Sequence, residues 1–286
     1  MTDISNRYST SVNESVIRID LSGAGTAIIE FPQDAALNSA DILRDVADRI
    51  INSLPKVGFA VSVIVPIYNE EDILADLVAE FIANFSHFPF QTEFLLCENG
   101  SQDQTREIGA RLEAEHVNVR LVTISEPSYG EAIKMGIQEA SADIVVVFNA
   151  DLWCTRFFLD AVLLLQSGYD IVIGSKRLVP STDHRPFVRR AITTAFNLFL
   201  NICFGFRGTD THGMKALRRS SVLAVMNRCY TKKEVFDTEL ILKAQKAHLR
   251  ISEIPTEVHD TRPARLSLFS RIPSTLRDLW IVRKTL

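Results

Sequence analysis

The chain has 286 residues, 47% of them hydrophobic and 23% charged, with 12 Gly and 10 Pro; this composition excludes a disordered or fibrous protein. Its length allows one large or two small domains, with a core that needs no disulfide or metal to hold it. Lys and Arg number 31 against 35 Asp and Glu, a net charge of -4, so there is no bulk positive field for gripping nucleic acid and any basic site has to be local.

The N-terminal 14 residues are polar and lack a basic-then-apolar signal pattern, which argues against export. Val16 to Leu21 and Thr26 to Phe31 read as short strands around the turn Ser22-Gly23-Ala24-Gly25. Ile42, Leu43, Val46, Ile50 and Leu54 then mark a helix that Pro55 ends. From Ala60 the pattern alternates. Ala60 to Val65 is a β-rich run, and Ile73, Leu74, Leu77, Val78, Phe81 and Phe85 form a helical face. Glu93 to Cys97, Val119 to Ile124, Ile144 to Asn149 and Ile171 to Ser175 are buried strand candidates. Helices fall near Thr105 to Glu113, Glu131 to Ala140 and Phe157 to Gln166. This alternation predicts an α/β fold, a mostly parallel sheet with helices on both faces and ligands beyond the carboxyl ends of its strands.

The second half is less regular. Ala191 to Phe206 is an uncharged run of 16 residues interrupted by Thr193, Thr194, Asn197 and Asn201, too short and too polar for a spanning helix of about 20 apolar residues. Its polar positions share one narrow stripe, so the helix is either fully buried or partly sunk in lipid. A Gly-Thr-Asp-Thr-His-Gly turn follows, then a helix from Phe236 to Ala247 and a strand ending at Ile254-Pro255. Arg271, Arg277, Arg283 and Lys284 interleave with Ile272, Leu276, Leu279, Trp280 and Val282 at the end of the chain, a composition suited either to an anionic membrane surface or to a core-capping helix. Cys97, Cys154, Cys203 and Cys229 are far apart among apolar neighbours. They suggest free buried thiols in a reducing compartment, with neither a zinc site nor a redox pair.

The strand ends carry the informative residues. After the first core strand comes Val65-Pro66-Ile67-Tyr68-Asn69-Glu70-Glu71, after the second Glu98-Asn99-Gly100-Ser101-Gln102-Asp103, and after the fourth Phe148-Asn149-Ala150-Asp151-Leu152. Pro127 to Gly136, Ile173-Gly174-Ser175-Lys176-Arg177, Asp210-Thr211-His212-Gly213-Met214-Lys215, Phe236-Asp237-Thr238-Glu239-Leu240 and Thr261-Arg262-Pro263-Ala264-Arg265 follow in order. Each motif alone is weak. Their ordered combination, over roughly Ala60 to Ser267, resembles the family 2 glycosyltransferases of GT-A fold, and within them dolichol-phosphate mannose synthase and the polyprenyl-phosphate glycosyltransferases.

That resemblance implies three segments: a β-β-α extension of unknown role at 1–57, the GT-A domain at 58–267, and a basic amphipathic segment at 268–286. It implies an inverting transfer of a hexose from a GDP- or UDP-sugar to a polyprenyl or dolichyl phosphate. On the donor side, Pro66 and Tyr68 offer a flat apolar wall for the base, and Glu70 and Glu98 offer acceptors for base or ribose donors. Gly100 and Gly130 permit close approach. For Glu98 the alternative is a helix-start acid favoured by the dipole. Gly136 would let its helix pack on the sheet.

The family's Asp-x-Asp, which holds Mg2+ or Mn2+ against the pyrophosphate, is here Asn149-Ala150-Asp151. One carboxylate is replaced by a neutral carbonyl oxygen, which predicts a weakened metal site at Asp151 and Asn149. Lys176, Arg177, Lys215 and Arg262 are the expected cationic contacts to phosphate, with Asp151 the other residue expected in catalysis. Asp210, His212 and Glu239 fall on the acceptor side. A phosphate acceptor is already ionised at neutral pH and needs no base. An acceptor hydroxyl on a sugar or protein would need one, and Asp210, Asp237 or Glu239 could then serve. A nucleotide-sugar-binding pseudoenzyme is the non-catalytic alternative. The expected setting is the cytoplasm, with peripheral contact at the cytoplasmic membrane face open.

Overall fold

The computed structural model describes residues 58–256 and 268–286 apart from 87, 89, 126, 179–186 and 234, with only the backbone described at 8–13, 16–21, 25–30, 187, 189 and 268–272. Strands β1 (Tyr8–Asn13), β2 (Val16–Leu21) and β3 (Gly25–Glu30) form an antiparallel sheet of their own. The last two lie within a residue of the expected positions. The first has almost no apolar alternation to announce it. The helix expected around Ile42 to Leu54 lies outside the described residues.

The main sheet is built from β4 (Val61–Ile67), β5 (Thr92–Asn99), β6 (Val119–Ile124), β7 (Ile144–Val147), β8 (Ile171–Ser175), β9 (Lys215–Arg218) and β10 (Ile251–Pro255), in the order β10-β8-β9-β7-β4-β5-β6. All neighbours are parallel except β9, which runs antiparallel between β7 and β8. Its register places Lys215 opposite Val147 and Ile173, at the carboxyl end of both parallel strands. Pro66 is tolerated inside β4 because the ladder to β7 ends at Ile64, so no partner on that side requires its missing N–H.

The helices are α1 (Leu74–Phe85), α2 (Thr105–Glu115), α3 (Tyr129–Glu139), α4 (Thr155–Gln166), α5 (Phe187–Phe204), α6 (Arg219–Met226), α7 (Val235–Lys246) and α8 (Leu268–Thr285). Alternate residues of the central strands feed two cores. Val63 and Val65 face α1 and α4, while Ile64 joins α3, α6 and α7. The first core is aromatic: Phe85 meets Phe158 edge-on at 4.6 Å and Phe81 stacks on Phe94 at 5.3 Å, geometries worth about 0.5–1.5 kcal/mol beyond burial. On the other face a Cβ at Gly136 would stand 2.6 Å from Ile64 Cγ2 and 2.7 Å from Cys97 Sγ, so this glycine sets how closely α3 packs on the sheet.

Leu200 of α5 and Leu279 and Val282 of α8 close that second core. Of the polar stripe of α5 only Asn197 is buried; its Nδ2 donates to Thr209 O, and the exposed Asn201 donates through Nδ2 to Phe206 O, each at 2.8 Å. Val188, Leu198 and Ile202 face solvent, Ile202 at 72% exposure. All four cysteines are free; Cys97 and Cys229 are buried, while Cys154 and Cys203 are only half-buried. Burial pushes the Cys97 and Cys229 thiols up to about 12, which removes them as nucleophiles.

Candidate active site at the carboxyl edge of the sheet

The loops after β4 and β5 interlock. The Asn69 N–H donates to Ser101 Oγ at 3.0 Å, while Asn69 Oδ1 accepts from the Gln102 N–H at 2.9 Å. Asn69 adopts φ 52°, a left-handed conformation that asparagine tolerates better than most residues. The Glu70 N–H donates to Thr105 Oγ1 at 2.8 Å, which ties this loop to the start of α2. Tyr68 and Glu70 are half-buried at the mouth of the edge, and Pro66 is half-buried within β4.

Glu98 departs from the donor-binding expectation. It is fully buried, its Oε1 accepts the Ser101 N–H, and its Oε2 accepts from Arg106 Nη2 at 2.9 Å and Nε at 3.2 Å. Both oxygens are engaged within the protein, so the carboxylate shapes the loop into α2 through Ser101 and Arg106; it sits in β5, not at the helix start. Arg106 was not singled out in the sequence, because nothing in its spacing identifies the partner of a buried acid. Gly100 sits at φ 69° with a notional Cβ 3.1 Å from Pro127 Cδ, so its backbone requires glycine. Gly130 also differs from expectation. A Cβ there would meet Lys232 O and Phe236 Cβ at 2.7 Å, so the small residue is demanded by the segment entering α7.

After β7 the chain makes a tight turn in which Asn149 and Leu152 exchange backbone hydrogen bonds of 3.2 and 3.1 Å. Asp151 is exposed on the turn and Asn149 is half-buried. The Tyr129 hydroxyl lies 3.4 Å from Asn149 Oδ1 and 3.5 Å from Asp237 Oδ2, linking the start of α3 to both. Asn149 and Asp151 offer only oxygen donors, which suits a hard divalent cation completed by phosphate and water. Among the described residues no three acids, histidines or cysteines converge into a metal site.

The floor is made by two buried ion pairs. Lys215 Nζ lies 2.9 Å from Asp237 Oδ2 and donates to Gly213 O at 2.8 Å, with both charged side chains 3% exposed. Lys176 Nζ lies 3.1 Å from Asp210 Oδ2, and Asp210 Oδ1 accepts the His212 N–H at 3.0 Å. Burial pushes the Asp210 carboxyl up, but Lys176 and the His212 N–H outweigh it and hold it below the ordinary range. Burial also lowers His212, against the opposing pull of Asp237 and Asp210, so the imidazole is neutral at physiological pH. The 208–210 turn is pinned by Glu253, which accepts from Thr209 N at 2.7 Å and Thr209 Oγ1 at 2.6 Å. No local pattern in the sequence points to Glu253.

Lys215, Arg177 and Glu239 each make contacts within the protein here. Lys215 is an internal counter-ion with its Nζ committed to Asp237 and Gly213. Arg177 is half-buried and its Nη1 donates to Thr193 O of α5 at 3.2 Å. Glu239 is fully buried and accepts from Lys243 at 2.7 Å, the Tyr230 N–H, and the Thr231 N–H and hydroxyl. Burial raises its carboxyl, but the bonds from Lys243 and Thr231 prevail and lower it. Arg262 and Arg265 lie outside the described residues.

Residues 62–233 match the family described as Glycosyl transferase family 2. The chain belongs to that family. Glycosyltransferase AglD of Haloferax volcanii is 29% identical over 206 residues, 70% of this chain and 33% of that protein. An undecaprenyl-phosphate 4-deoxy-4-formamido-L-arabinose transferase of Edwardsiella ictaluri is 29% identical over 201 residues, 69% of this chain and 59% of that protein. The chain therefore spans less than two thirds of either relative. Glucosyl-3-phosphoglycerate synthase of Mycobacterium tuberculosis, solved with Mn2+, UDP and phosphoglyceric acid, superposes with a TM-score of 0.58 at 20% identity, covering 83% of this chain and 82% of that one. The fold is GT-A, and the protein is a family 2 glycosyltransferase.

Proposed function

We propose that this glycosyltransferase moves a hexose from a GDP- or UDP-sugar to a polyprenyl phosphate, with inversion at the anomeric carbon. The observation that carries the acceptor assignment is the state of the acids. Asp210 and Glu239 are buried, ion-paired and held low, whereas an efficient general base needs a pKa near the working pH. A phosphate monoester has no proton to lose. Its oxygen attacks the anomeric carbon as the bond to the nucleoside diphosphate breaks, and the diphosphate leaves with that electron pair. The Edwardsiella relative's undecaprenyl-phosphate acceptor supports the same reading.

Asn149 and Asp151 would hold a Mg2+ or Mn2+, which supplies charge neutralisation for the leaving diphosphate. The M. tuberculosis synthase binds Mn2+ together with UDP, which supports a divalent ion here. Tyr68 and Pro66 would flank the base, and Gly100 would keep the loop after β5 close to it. Arg177, Lys176 and Arg262 remain the candidate contacts to the acceptor phosphate.

The exposed apolar side chains of α5 support peripheral membrane contact at the cytoplasmic face. A helix that buries Asn197 and leaves Val188, Leu198 and Ile202 outward suits a lipid surface. Exposed Leu276 and Trp280 of α8, beside Arg277, Arg283 and Lys284, add an aromatic and basic margin. Among the described residues no helix is long and apolar enough to cross a membrane. Residues 1–57 fit a packing extension and 268–286 a docking segment on the 58–267 transferase domain.

Neutral His212 favours a second reading, in which its imidazole takes the proton of an acceptor hydroxyl. Product analysis with a short polyprenyl phosphate and a simple sugar alcohol separates the two. Glycosylation of the lipid phosphate is expected. Transfer to the alcohol alone, lost in folded His212→Gln protein, would overturn the phosphate assignment.

A further inference from the structure

Among the described residues only three buried side-chain oxygens lack a hydrogen-bond partner: Thr92 Oγ1, Asp210 Oδ2 and Asp237 Oδ1. Thr92 begins β5, at the opposite end of the sheet from the site. Asp210 Oδ2 is answered electrostatically by Lys176 at 3.1 Å. Asp237 Oδ1 is different. Its sister oxygen takes Lys215 and lies near the Tyr129 hydroxyl, while Oδ1 itself accepts no hydrogen bond, although Asp237 is 2% exposed.

A buried carboxylate oxygen is costly to leave bare, and such an atom calls for a partner in the working protein, whether a water, an ion or a ligand group. The ligand must present a donor or a cation, since phosphate would be repelled. Lys215 already stands 2.9 Å from the sister oxygen, so a second cation beside this carboxylate would face its charge. A neutral donor remains, a water or a ligand hydroxyl. Asp237 also lies where a sugar attached to the diphosphate would reach, because one Tyr129 hydroxyl approaches both its Oδ2 and Asn149 Oδ1 of the turn assigned to the diphosphate.

Resting on the donor site assigned above, we propose that Asp237 Oδ1 accepts a hydrogen bond from a hydroxyl of the transferred hexose and so helps to set which sugar is used. Lys215 fixes the carboxylate through Oδ2 and leaves Oδ1 without a hydrogen-bond partner inside the protein. The residue is thus a specificity determinant.

The test uses UDP-glucose and GDP-mannose, their 2-, 3-, 4- and 6-deoxy analogues, and free UDP and GDP as probes, with the wild type and Asp237→Asn. Asparagine keeps an oxygen for Lys215 and turns an NH2 toward the ligand. The variant should bind free UDP or GDP within about twofold of wild type, yet lose roughly tenfold to a hundredfold in kcat/KM for the intact donor, about 1.4 to 2.8 kcal/mol at 1.4 kcal/mol per decade. One deoxy analogue should show the same loss with the wild type and no further loss with the variant. Equal weakening of the free nucleotides, or losses that multiply at every deoxy position, would overturn the assignment. Should the variant fold poorly, the wild type alone decides: no single deoxygenation costing more than about threefold would also overturn it. Failure of the wild type to bind either nucleotide would sink the donor site, and this assignment with it.

Discussion

Replacing Lys215 with Met should unfold the protein more readily long before it reveals anything about phosphate. Lys215 and Asp237 are both 3% exposed and 2.9 Å apart, and the Lys215 ammonium also serves Gly213 O. Methionine fills the volume but leaves a buried carboxylate without its counter-ion, a loss of about 3–5 kcal/mol. Against a total of about 5–15 kcal/mol that is a large fraction, and it should lower the melting temperature by on the order of 10 °C. The assay is urea unfolding followed by circular dichroism, for Lys215→Met, Asp237→Leu and the double variant. Removing both charges leaves no orphan, so the double variant should be markedly more stable than the sum of the single losses predicts. A Lys215→Met protein within about 1 kcal/mol of wild type, or strict additivity, would refute the buried-pair reasoning. Turnover lost on changing Lys215 then has to be normalised to folded protein before it is counted as a phosphate contact.

Four further outcomes follow from other parts of the molecule. Because the folded-state pKa of His212 is depressed, the unfolded chain takes up a proton first as pH falls through about 6.5, so stability should decline from there downward; His212→Gln should lack that slope, and parallel curves between pH 7.5 and 5.5 would refute it. The lowered Asp210 and Glu239 carboxyls act in a separate window, with their stabilisation present above about pH 4 and lost in stronger acid. Asn149→Asp should tighten Mn2+ binding in the presence of UDP or GDP, read by titration calorimetry, while Asp151→Ala should abolish it; unchanged affinity in both would remove the ion from this turn. Ile202→Asp, at a 72% exposed position, should keep the melting temperature within a few degrees yet reduce co-sedimentation with anionic vesicles, and undiminished binding would refute the α5 contact.

The sheet was legible because its central strands are buried on both faces and read as unbroken apolar runs, Val-Ser-Val-Ile-Val in β4 and Ile-Val-Val-Val in β7. β9 was not. Lys-Ala-Leu-Arg has no strand pattern, and it is a strand because β7 and β8 leave a gap whose backbone groups it completes. The polar stripe of α5 is visible in the sequence but its direction is not, since a hydrogen bond to Thr209 O satisfies Asn197 inside as well as water satisfies Asn201 outside.

The same limit governs the site. Sequence spacing brings charged residues to the strand ends and says nothing of which charges cancel. Glu98 and Lys215 stand at such ends, yet each is buried with its charge answered by Arg106 or Asp237 from a different helix. A charge that is answered holds the frame, whereas one that is unanswered, or exposed like Asp151, is available to a ligand. That distinction moves Glu98, Lys215 and Glu239 from binding to positioning. It moves Asp237, whose Oδ1 alone stays bare beside a satisfied Oδ2, in the opposite direction. The single uncompensated carboxylate on the β7 turn, with neutral Asn149 beside it, gives the diphosphate end less negative charge than an Asp-x-Asp pair would. A cation there has to draw more of its binding energy from the nucleotide itself. Metal and nucleotide affinities should therefore be strongly coupled, each tightening the other by the same factor.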